Sequence, residues 1–530
     1  MGRAAHGGGG GAIAAGHVVS AETGAAVLAA GGNACDALVA AGLASWVAEP
    51  TLTGPCGGGF LVCRDAASGR VAVLDFFAAA PGLDGRRPAR PMDAWDVEFG
   101  TAVQRFWFGV GSCAVPGTAA GLGAAHRRWG AMPWAALVAP AIELAATGVV
   151  VSEQQAVVAR ILAGILTSTA GARDVFAPAG ALVQAGDVQP QPALGRTLAR
   201  LAEHGVDDLY RGGLAAEVAG FFAAEGGTLG AADLAAYRVI SRRPLVGRYR
   251  DVGLVTNPPP SSGGTLLGHA LAVQDRLPPP AHPLGLHAAR TLAVVLREAE
   301  RRRTPAFAQA LRRGGARRLL DDEHVSAAAA SAARELTGGP EPVVVGHAPH
   351  GTTHISVVDA RGNAAAMTCS TGCGSGVFVG DTGLHMNNML GEEDLTGGRP
   401  LPPGARLTSM MTPALLTWPD GTEAVVGSSG SARIRSALQR VVTALVDHGC
   451  DPREAIDLPR VHPSAAGLDC EHGFPDEVLE ALAAVGEPVV RWPDRNVYFG
   501  GTQVARRRRG GALEAAGDPR RGGHGIVVQP

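Results

Sequence analysis

The chain has 530 residues, of which 46% are hydrophobic and 18% charged, and its formal net charge is −2 at pH 7. This length and apolar content allow a large buried core and argue against a disordered chain. The near-neutral charge argues against a nucleic-acid partner, which would call for a basic surface. All 46 basic residues are arginine, so lysine Schiff-base, P-loop lysine and lysine general-base chemistry are excluded.

The first half of the chain is predicted to be mainly helical. Its composition is rich in alanine, and glycine and proline clusters mark the breaks. The predicted elements, in chain order, are a glycine-rich lead-in of about 15 residues, a helical stretch over 19–50, a strand hairpin over 60–76, and helices over 117–240 with breaks at Pro116, Pro133, Pro140 and Pro178.

The second half changes character after a proline- and glycine-rich segment. Helices are expected to continue to about residue 337, and residues 338–351 are predicted to be an exposed linker. Strand-like alternation then dominates. The predicted elements are hairpins over 354–370 and 412–430, a helix over 431–448, and strands near 496–505 and 524–528.

Cysteine usage and the terminal segments carry further expectations. The eight cysteines are scattered, and Cys369 and Cys373 have no second pair to complete a zinc site, so we expect buried thiols and no metal. The first residues lack the basic and apolar pattern of a secretory signal, and no apolar run reaches membrane-spanning length. The sequence therefore predicts a cytoplasmic protein. The basic run at residues 506–509 is expected to be a solvated loop face.

Thr352 stands where the predicted linker runs into a strand. A threonine hydroxyl needs a neighbouring base to become a nucleophile. If the chain is cut before Thr352, its new α-amino group, with a pKa near ~8, supplies that base. Gly351 leaves room for the distorted peptide that an N-to-O acyl shift requires. On the residues alone, an ordinary strand start is the favoured interpretation of this Gly-Thr-Thr.

The segment from Gly427 to Ile434 joins a predicted strand to a predicted helix. Backbone N–H groups at such a junction can hold an oxyanion. An ordinary turn capped by Ser428 or Ser429 is the competing interpretation. His354 follows the two threonines and is interpreted as structural, outside the catalytic set.

These segments, taken in order, resemble the γ-glutamyltranspeptidase family. The ordered set is specific and spans nearly the whole chain. It consists of Gly31-Gly-Asn-Ala-Cys-Asp36, Glu49-Pro50, Gly57-Gly-Gly-Phe60, Val115-Pro-Gly-Thr118, Asp233 to Tyr237, Pro258 to Gly264, Thr352-Thr-His354, Asn387-Asn388, Ser409-Met410, Gly427 to Ile434 and Asp518-Pro-Arg520.

The resemblance implies an α+β protein with the N-terminal-nucleophile hydrolase fold, a four-layer αββα sandwich. It implies self-cleavage between Gly351 and Thr352, giving a large fragment 1–351 and a small fragment 352–530 that associate as one domain. Thr352 would be the nucleophile, Gly430 and Ser431 the oxyanion-hole donors, and Ser370 the hydroxyl that orients the nucleophile. No metal or organic cofactor is implied. The partners would be a small-molecule substrate and the other fragment, with neither nucleic acid nor membrane.

The chain departs from the family where the glutamyl group is recognised. Phe77 stands where an arginine would clamp the substrate carboxylate, a role phenylalanine cannot fill. Gly372 stands near the position of an expected asparagine. Glu392 retains acidity where the family binds the substrate ammonium, and Thr408 and Ser409 match a serine pair that contacts the carboxylate.

The resemblance leaves three functions open. The first is hydrolysis or acyl transfer on γ-glutamyl amides such as glutathione. The second is a relative with the same nucleophile and another substrate, such as a cephalosporin-acylase-like amidase. A C–C bond hydrolase of lincosamide- or pyrrolobenzodiazepine-type antibiotic biosynthesis also belongs to this second class. The third is an unprocessed, non-catalytic homologue.

Overall fold

A computed structural model describes residues 9–85, 90–99, 102–341 and 351–530 of the chain. The strands are β1 Gly11–Ala15, β2 Gly58–Arg64, β3 Val71–Phe76, β4 Asp93–Phe99, β5 Ala102–Phe108, β6 Val149–Val150, β7 Val188–Gln189, β8 Ile240–Arg242, β9 Leu245–Tyr249, β10 Val252–Thr256, β11 Gly351–Asp359, β12 Ala364–Gly372, β13 Ala414–Thr417, β14 Glu423–Ser429, β15 Val461–Ser464, β16 Gly467–Cys470, β17 Val489–Arg491, β18 Gly501–Arg507, β19 Leu513–Gly517 and β20 His524–Val528.

The helices lie mainly between β5 and β11 and after β14. They are α1 Val18–Ala29, α2 Ala34–Ala48, α3 Thr118–Trp129, α4 Trp134–Thr147, α5 Glu153–Ile161, α6 Ala163–Leu166, α7 Ala170–Phe176, α8 Pro192–His204, α9 Asp208–Arg211, α10 Gly213–Ala224, α11 Ala231–Ala236, α12 Gly263–Asp275, α13 Leu286–Arg301, α14 Pro305–Arg313, α15 Asp322–Gly338, α16 Glu393–Thr396, α17 Arg433–Asp447, α18 Pro452–Asp457 and α19 Asp476–Ala484. Within the described ranges, none of them is long and apolar enough to cross a membrane.

Two antiparallel sheets form the centre of the molecule. One has the strand order β20-β1-β11-β12-β2-β3-β8, and the other has the order β19-β18-β14-β13-β10-β9. Apolar side chains from both sheets, including Val62, Val358, Leu415 and Val425, fill the space between them. Helices α1, α2 and α3 cover the outer face of the first sheet, and α12 and α17 cover that of the second. The predicted αββα layering is confirmed.

The elements with strong local patterns form as predicted. The hairpins β2–β3, β11–β12 and β13–β14 pair in antiparallel register. Helix α17, predicted from about residue 431, begins at Arg433. Seven of the eight cysteines are buried and all eight are free, in keeping with the expectation of small buried thiols. Residues 342–350 of the predicted linker lie outside the described residues.

Two predictions near the N-terminus were wrong. Residues 11–15, predicted to be part of a lead-in, form β1, a fully buried strand between β11 and β20. Gly24 lets α1 pack closely on this strand, because a methyl group at Gly24 would lie 2.2 Å from Ile13 Cδ1. The single helical stretch predicted over 19–50 is two helices, because Gly31 takes a positive φ of 88° and Asn33 caps α2.

Two local interpretations also need correction. Helix α4 continues through Pro140 instead of breaking there, because Leu137, Val138 and Ala141 on either side are buried. Arg506 is only 4% exposed and not a solvated loop residue. Strand β18 extends to Arg507, which places Arg506 opposite Glu514 of β19, and the two side chains form an ion pair.

We predict that Gly427→Ala lowers stability by about 1–3 kcal/mol, the usual cost of overpacking a core. A methyl group at Gly427 would lie 2.1 Å from the buried ring of His354. The matched control is Gly220→Ala in α10, where a methyl group meets no atom within 4 Å. That change should stabilise the protein by about 0.5–1 kcal/mol because alanine favours helix. Thermal unfolding of both variants checks this, and equal melting temperatures would contradict the packing between the sheets.

Candidate active site

Thr352 is the second residue of β11, a strand paired on both sides by β1 and β12. It is 2% exposed. Side chains alternate along β11, so Thr352 shares a face with His354 and Ser356, and Ser356 donates to the Gln503 carbonyl of the second sheet. Thr352 therefore points between the sheets, whereas Thr353 points toward the helical layer.

A β-bulge places Ser370 on the Gly351–Thr352 peptide. Gly351 pairs with Gly372 and Thr353 with Cys369, so two residues of β12 stand opposite Thr352. The Ser370 hydroxyl donates a hydrogen bond to the Gly351 carbonyl oxygen. It accepts one from the Gly372 N–H at 2.7 Å. The structure thus brings Ser370 to the predicted cleavage site, in contact with the carbonyl before Thr352.

Gly430 and Ser431 form a left-handed turn between β14 and α17. Their φ angles are 113° and 53°. A non-glycine residue in this region costs about 1–2 kcal/mol. Among the described residues, no acceptor takes the N–H of Gly430 or Ser431. Both amides are therefore available to a ligand oxygen.

The serines predicted as possible caps of this helix do not cap it. Ser428 donates to the carbonyl of Ser429, and Ser429 donates to that of Gly501. Helix α17 has Ala432 at its N-cap and no side-chain cap. The competing interpretation of an ordinary capped turn is therefore not what the geometry shows.

A narrow cavity opens at Thr352, and the centre of a water-sized molecule can reach about 20 Å³ of it. Residues from six separate segments line it, and most of its wall is apolar. The lining residues are Phe77, Thr352, Ser370, Met389, Glu392, Asp394, Leu395, Ser409, Met410, Met411, Ser431 and Ile434. The cavity therefore joins the predicted nucleophile, its orienting serine and the Ser431 turn to part of the predicted substrate-binding set.

Two of the predicted substrate-binding residues lie outside this lining. The Thr408 hydroxyl donates to the Pro260 carbonyl at 2.8 Å and is used structurally. Gly372 stands behind Glu392, with a φ of 73°. A methyl group there would lie 2.0 Å from Asn388 Oδ1 and 2.4 Å from Glu392 Oε1. An asparagine side chain therefore has no room at this position.

Phe77 forms part of the cavity wall and is 1% exposed. Its ring stacks on Phe60 with centroids 5.5 Å apart. The guanidinium of Arg406 lies behind it, over the Tyr237 ring and 3.6 Å from Asp75, and donates to the Phe77 carbonyl. Arg406 is therefore engaged with the fold and does not replace the missing clamp.

The charged groups of the lining are both acidic. Burial and the neighbouring Asp394 hold the pKa of Glu392 well above its usual range. Asp394 is paired with Arg303 at 2.9 Å, and Arg303 also binds Glu300 at 2.6 Å. No cationic side chain is among the described residues that line the cavity. The electrostatics suit a neutral or cationic group better than a free carboxylate.

His354 lies between the sheets, away from the cavity lining. Its ring nitrogens contact Thr368 Oγ1 at 2.7 Å and Ser356 Oγ at 3.0 Å. Burial lowers its pKa to about 3, so it is neutral at pH 7. The geometry matches the structural role expected for it. No cluster of potential metal ligands occurs in the described part of the chain.

Several lining residues were not in the predicted set. Leu395, Met411 and Ile434 come from three elements that meet only in the folded chain. The sequence signal for Met411 was its position beside the matched Ser409-Met410 pair. Ile434 was the last residue of the matched segment Gly427 to Ile434, and no local pattern marked Leu395.

The fold defines the class of the protein. Two sheets between helical layers, with a threonine near the start of a central strand, are the architecture of N-terminal-nucleophile hydrolases. The chain matches the sequence model of the γ-glutamyltranspeptidase family over residues 20–528, and it belongs to that family.

Its relatives include two kinds of proenzyme. It is 33% identical to the acylase ACY 1 proenzyme of Pseudomonas sp. (strain SE83), covering 91% of this chain and 88% of the relative. It is 31% identical to the glutathione hydrolase proenzyme of Pseudomonas aeruginosa, covering 98% and 95%. The crystal structure of cephalosporin acylase from Bacillus halodurans has the same fold, with a TM-score of 0.83, 24% identity and coverage of 100% and 98%. The chain is thus a transpeptidase-like or acylase-like hydrolase or acyltransferase.

We predict that Glu392→Gln stabilises the protein at pH 7. A carboxyl whose folded-state pKa is raised favours the protonated form, so folding is penalised above the unfolded-state pKa of ~4.3. The amide removes that penalty, and each unit of pKa shift is worth about 1.4 kcal/mol. Melting temperatures of both proteins at pH 4.5 and pH 7 check this. A stability gain that does not grow with pH would contradict a buried, protonated Glu392.

Proposed function

We propose that the protein is a self-processed amidase whose nucleophile is Thr352, released by cleavage after Gly351. The fragments 1–351 and 352–530 then remain together as one folded unit. The observation that carries this proposal is the shared cavity of Thr352, Ser370 and Ser431, with Ser370 bonded to the Gly351 carbonyl. The proenzyme names of the relatives support it.

Self-cleavage would use the groups already in contact with the peptide. The Thr352 hydroxyl adds to the Gly351 carbonyl carbon, and the Ser370 hydroxyl stabilises the negative charge that develops on its oxygen. The Gly372 N–H fixes the Ser370 oxygen so that its hydrogen points at that carbonyl. Collapse breaks the bond between the Gly351 carbonyl carbon and the Thr352 nitrogen, moves the hydroxyl proton to that nitrogen and gives an ester to Thr352 Oγ. Water hydrolyses the ester, restores the Thr352 hydroxyl and releases one proton to solvent. The products are a carboxylate on Gly351 and an amino group on Thr352.

Turnover would use the new terminus. The α-amino group accepts the hydroxyl proton as Thr352 attacks the substrate amide, and then gives it to the leaving amine. The N–H groups of Gly430 and Ser431 hold the oxyanion, a contribution worth about 3–4 kcal/mol per donor in comparable sites. Water or a second amine then releases the acyl group.

The acyl group that best fits the cavity is predominantly apolar. Phe77, Met389, Leu395, Met410, Met411 and Ile434 form most of the wall. A γ-glutamyl group would bring a carboxylate into a lining whose described charged members, Glu392 and Asp394, are both acidic. An unpaired buried charge is strongly destabilising. The similarity to acylase ACY 1 supports an acylase-type substrate.

A γ-glutamyl amide is the second candidate. Glu392 and Asp394 could pair with the α-ammonium of a glutamyl group, and the similarity to glutathione hydrolase supports this substrate. The carboxylate of the same group would remain without a cation. This candidate therefore accounts for only one of the two charges of a γ-glutamyl group.

We predict that the wild-type chain separates into two fragments under denaturing conditions, the smaller beginning at Thr352. Thr352→Ala should give one uncut, inactive chain of about 53.7 kDa. Thr352→Ser, which keeps a hydroxyl, should still be cut. Intact mass and amidase assay decide this. A wild-type protein that stays uncut would favour the non-catalytic homologue, and full cleavage of the alanine variant would remove Thr352 from processing.

We predict that the wild-type enzyme hydrolyses p-nitroanilides of aliphatic or aromatic acids at least about tenfold faster, in kcat/KM, than γ-glutamyl p-nitroanilide. Phe77→Arg should change this ratio toward the γ-glutamyl substrate by about 10–100-fold, the range of one charged hydrogen-bonded contact. The control Phe77→Leu keeps the wall apolar and should leave the preference in place. A wild-type preference for the γ-glutamyl anilide would establish the second candidate.

A further inference from the structure

Glu49 is a buried carboxyl on the other face of the predicted nucleophile strand. It is 1% exposed and follows the last residue of α2. A methyl group at Gly16 would lie 2.5 Å from both Glu49 Oε2 and Thr353 Oγ1, so these two oxygens face each other across that glycine. Oε2 receives no hydrogen bond of regular geometry from the described residues. Ser20 Oγ contacts Oε1 at 3.5 Å.

The turn that begins at Glu49 packs against the predicted cleavage site. Leu52 and Thr53 both donate backbone hydrogen bonds to the Glu49 carbonyl, at 2.9 and 3.0 Å. A methyl group at Gly351 would lie 2.6 Å from the Thr51 carbonyl oxygen and 3.1 Å from Leu52 Cα. The turn therefore fixes the Glu49 carboxyl relative to residues 351–353.

None of the residues that the structure describes forms an ion pair with Glu49. It lines a small cavity together with His17 and Arg521. Burial lowers the pKa of His17 to about 4, so His17 is neutral at pH 7. Arg521 donates to the Val497 carbonyl at 3.1 and 3.2 Å. Burial raises the pKa of the nearby Cys369 thiol, which stays neutral as well.

A nearby charge can consequently change whether the Glu49 carboxyl is protonated. Burial raises its pKa to about 7, and the hydroxyls of Thr353 and Ser20 partly offset this. A cation placed close to it would lower that pKa and favour the carboxylate. The proposed cleavage creates such a cation, because the amino group of Thr352 appears one residue from Thr353 in a buried position.

We propose that Glu49 is the positioning residue and counter-charge of the Thr352 amino group, held against the strand through Thr353. This rests on the proposed function. Cleavage adds one water in total, which leaves a carboxylate on Gly351, a neutral amino group and a restored hydroxyl on Thr352, and one proton in solvent. The new amine then accepts the proton of the Glu49 carboxyl, which leaves a carboxylate beside an ammonium ion. The proton can return to Glu49 when the amine acts as a base.

Glu49 is better placed for this role than Glu392. Glu392 lines the cavity that receives the acyl group, on the face to which Thr352 points. Glu49 lies on the Thr353 face, where a bound substrate would not displace it. Substitutions of Glu49 and of Glu392 should therefore have different effects on activity, which an experiment can separate.

The test is the pH dependence of kcat/KM for the cleaved, full-length protein with its best anilide substrate. A carboxylate raises the pKa of a neighbouring amine, so Glu49→Gln should shift the acidic limb of the profile to lower pH by about one unit. Glu49→Asp should keep the wild-type limb at a reduced rate. Glu392→Gln should change KM and leave the limb in place. A purely structural Glu49 would alter melting temperature or rate without moving the limb.

An unchanged limb in Glu49→Gln overturns the proposal, as does a shift found in Glu392→Gln alone. If Glu49→Gln does not fold or mature, Thr353→Val provides the test. That variant keeps both carboxyls and removes the hydroxyl between Glu49 and the strand, so its limb should shift in the same direction by a smaller amount. No shift there also overturns the proposal. An uncut wild-type protein would instead disprove the proposed function itself.

Discussion

The position of β11 between β1 and β12 is the constraint on which the other features depend. The Gly351–Thr352 peptide begins a strand that pairs with β12 from Gly351 onward and with β1 from Ile355 to Asp359. The strand is packed between a helical layer and a second sheet. A cut at this peptide would leave the rest of β11 held by both neighbours. The same strand presents Thr352 to one layer and Thr353 to the other. The first residues of β11 therefore face the substrate cavity on one side of the strand and the buried Glu49 carboxyl on the other.

The parts of the site that would perform chemistry are separate from the parts that would select a substrate. The first set is mostly backbone and small hydroxyls: the Gly430 and Ser431 amides, the Ser370 hydroxyl and Thr352. The second set consists of large apolar walls and two acids. Nearby arginines are occupied by the fold, since Arg303 binds Asp394 and Glu300. Specificity could therefore change at the cavity wall while the geometry around the proposed cleavage site is kept.

Whether a feature could be predicted from the sequence depended on how far apart in the chain its interacting residues lie. The β11–β12 and β13–β14 hairpins and α17 were predictable because alternation and turn residues act locally. Strand β1 was missed because a short run of glycine and alanine carries no alternation, and only its burial between β11 and β20 makes it a strand. Thr352, Ser370 and Phe77 were predicted from the resemblance to the family, which rests on matched segments in the same order along the chain. Leu395 could not be predicted in this way, because it lies outside the matched segments and only the fold brings it to the cavity.

Ser431 shows how strongly the backbone geometry of this site is maintained. Its φ of 53° is costly for a residue with a side chain, although glycine would adopt this angle freely. Hydrogen bonds from the Arg433 and Ile434 amides to the carbonyls of Gly430 and Ser431, each 3.0 Å, hold it in place. An oxyanion hole requires only the direction of two N–H groups. A strained serine can therefore replace glycine at that position without changing what the site offers to an oxygen atom.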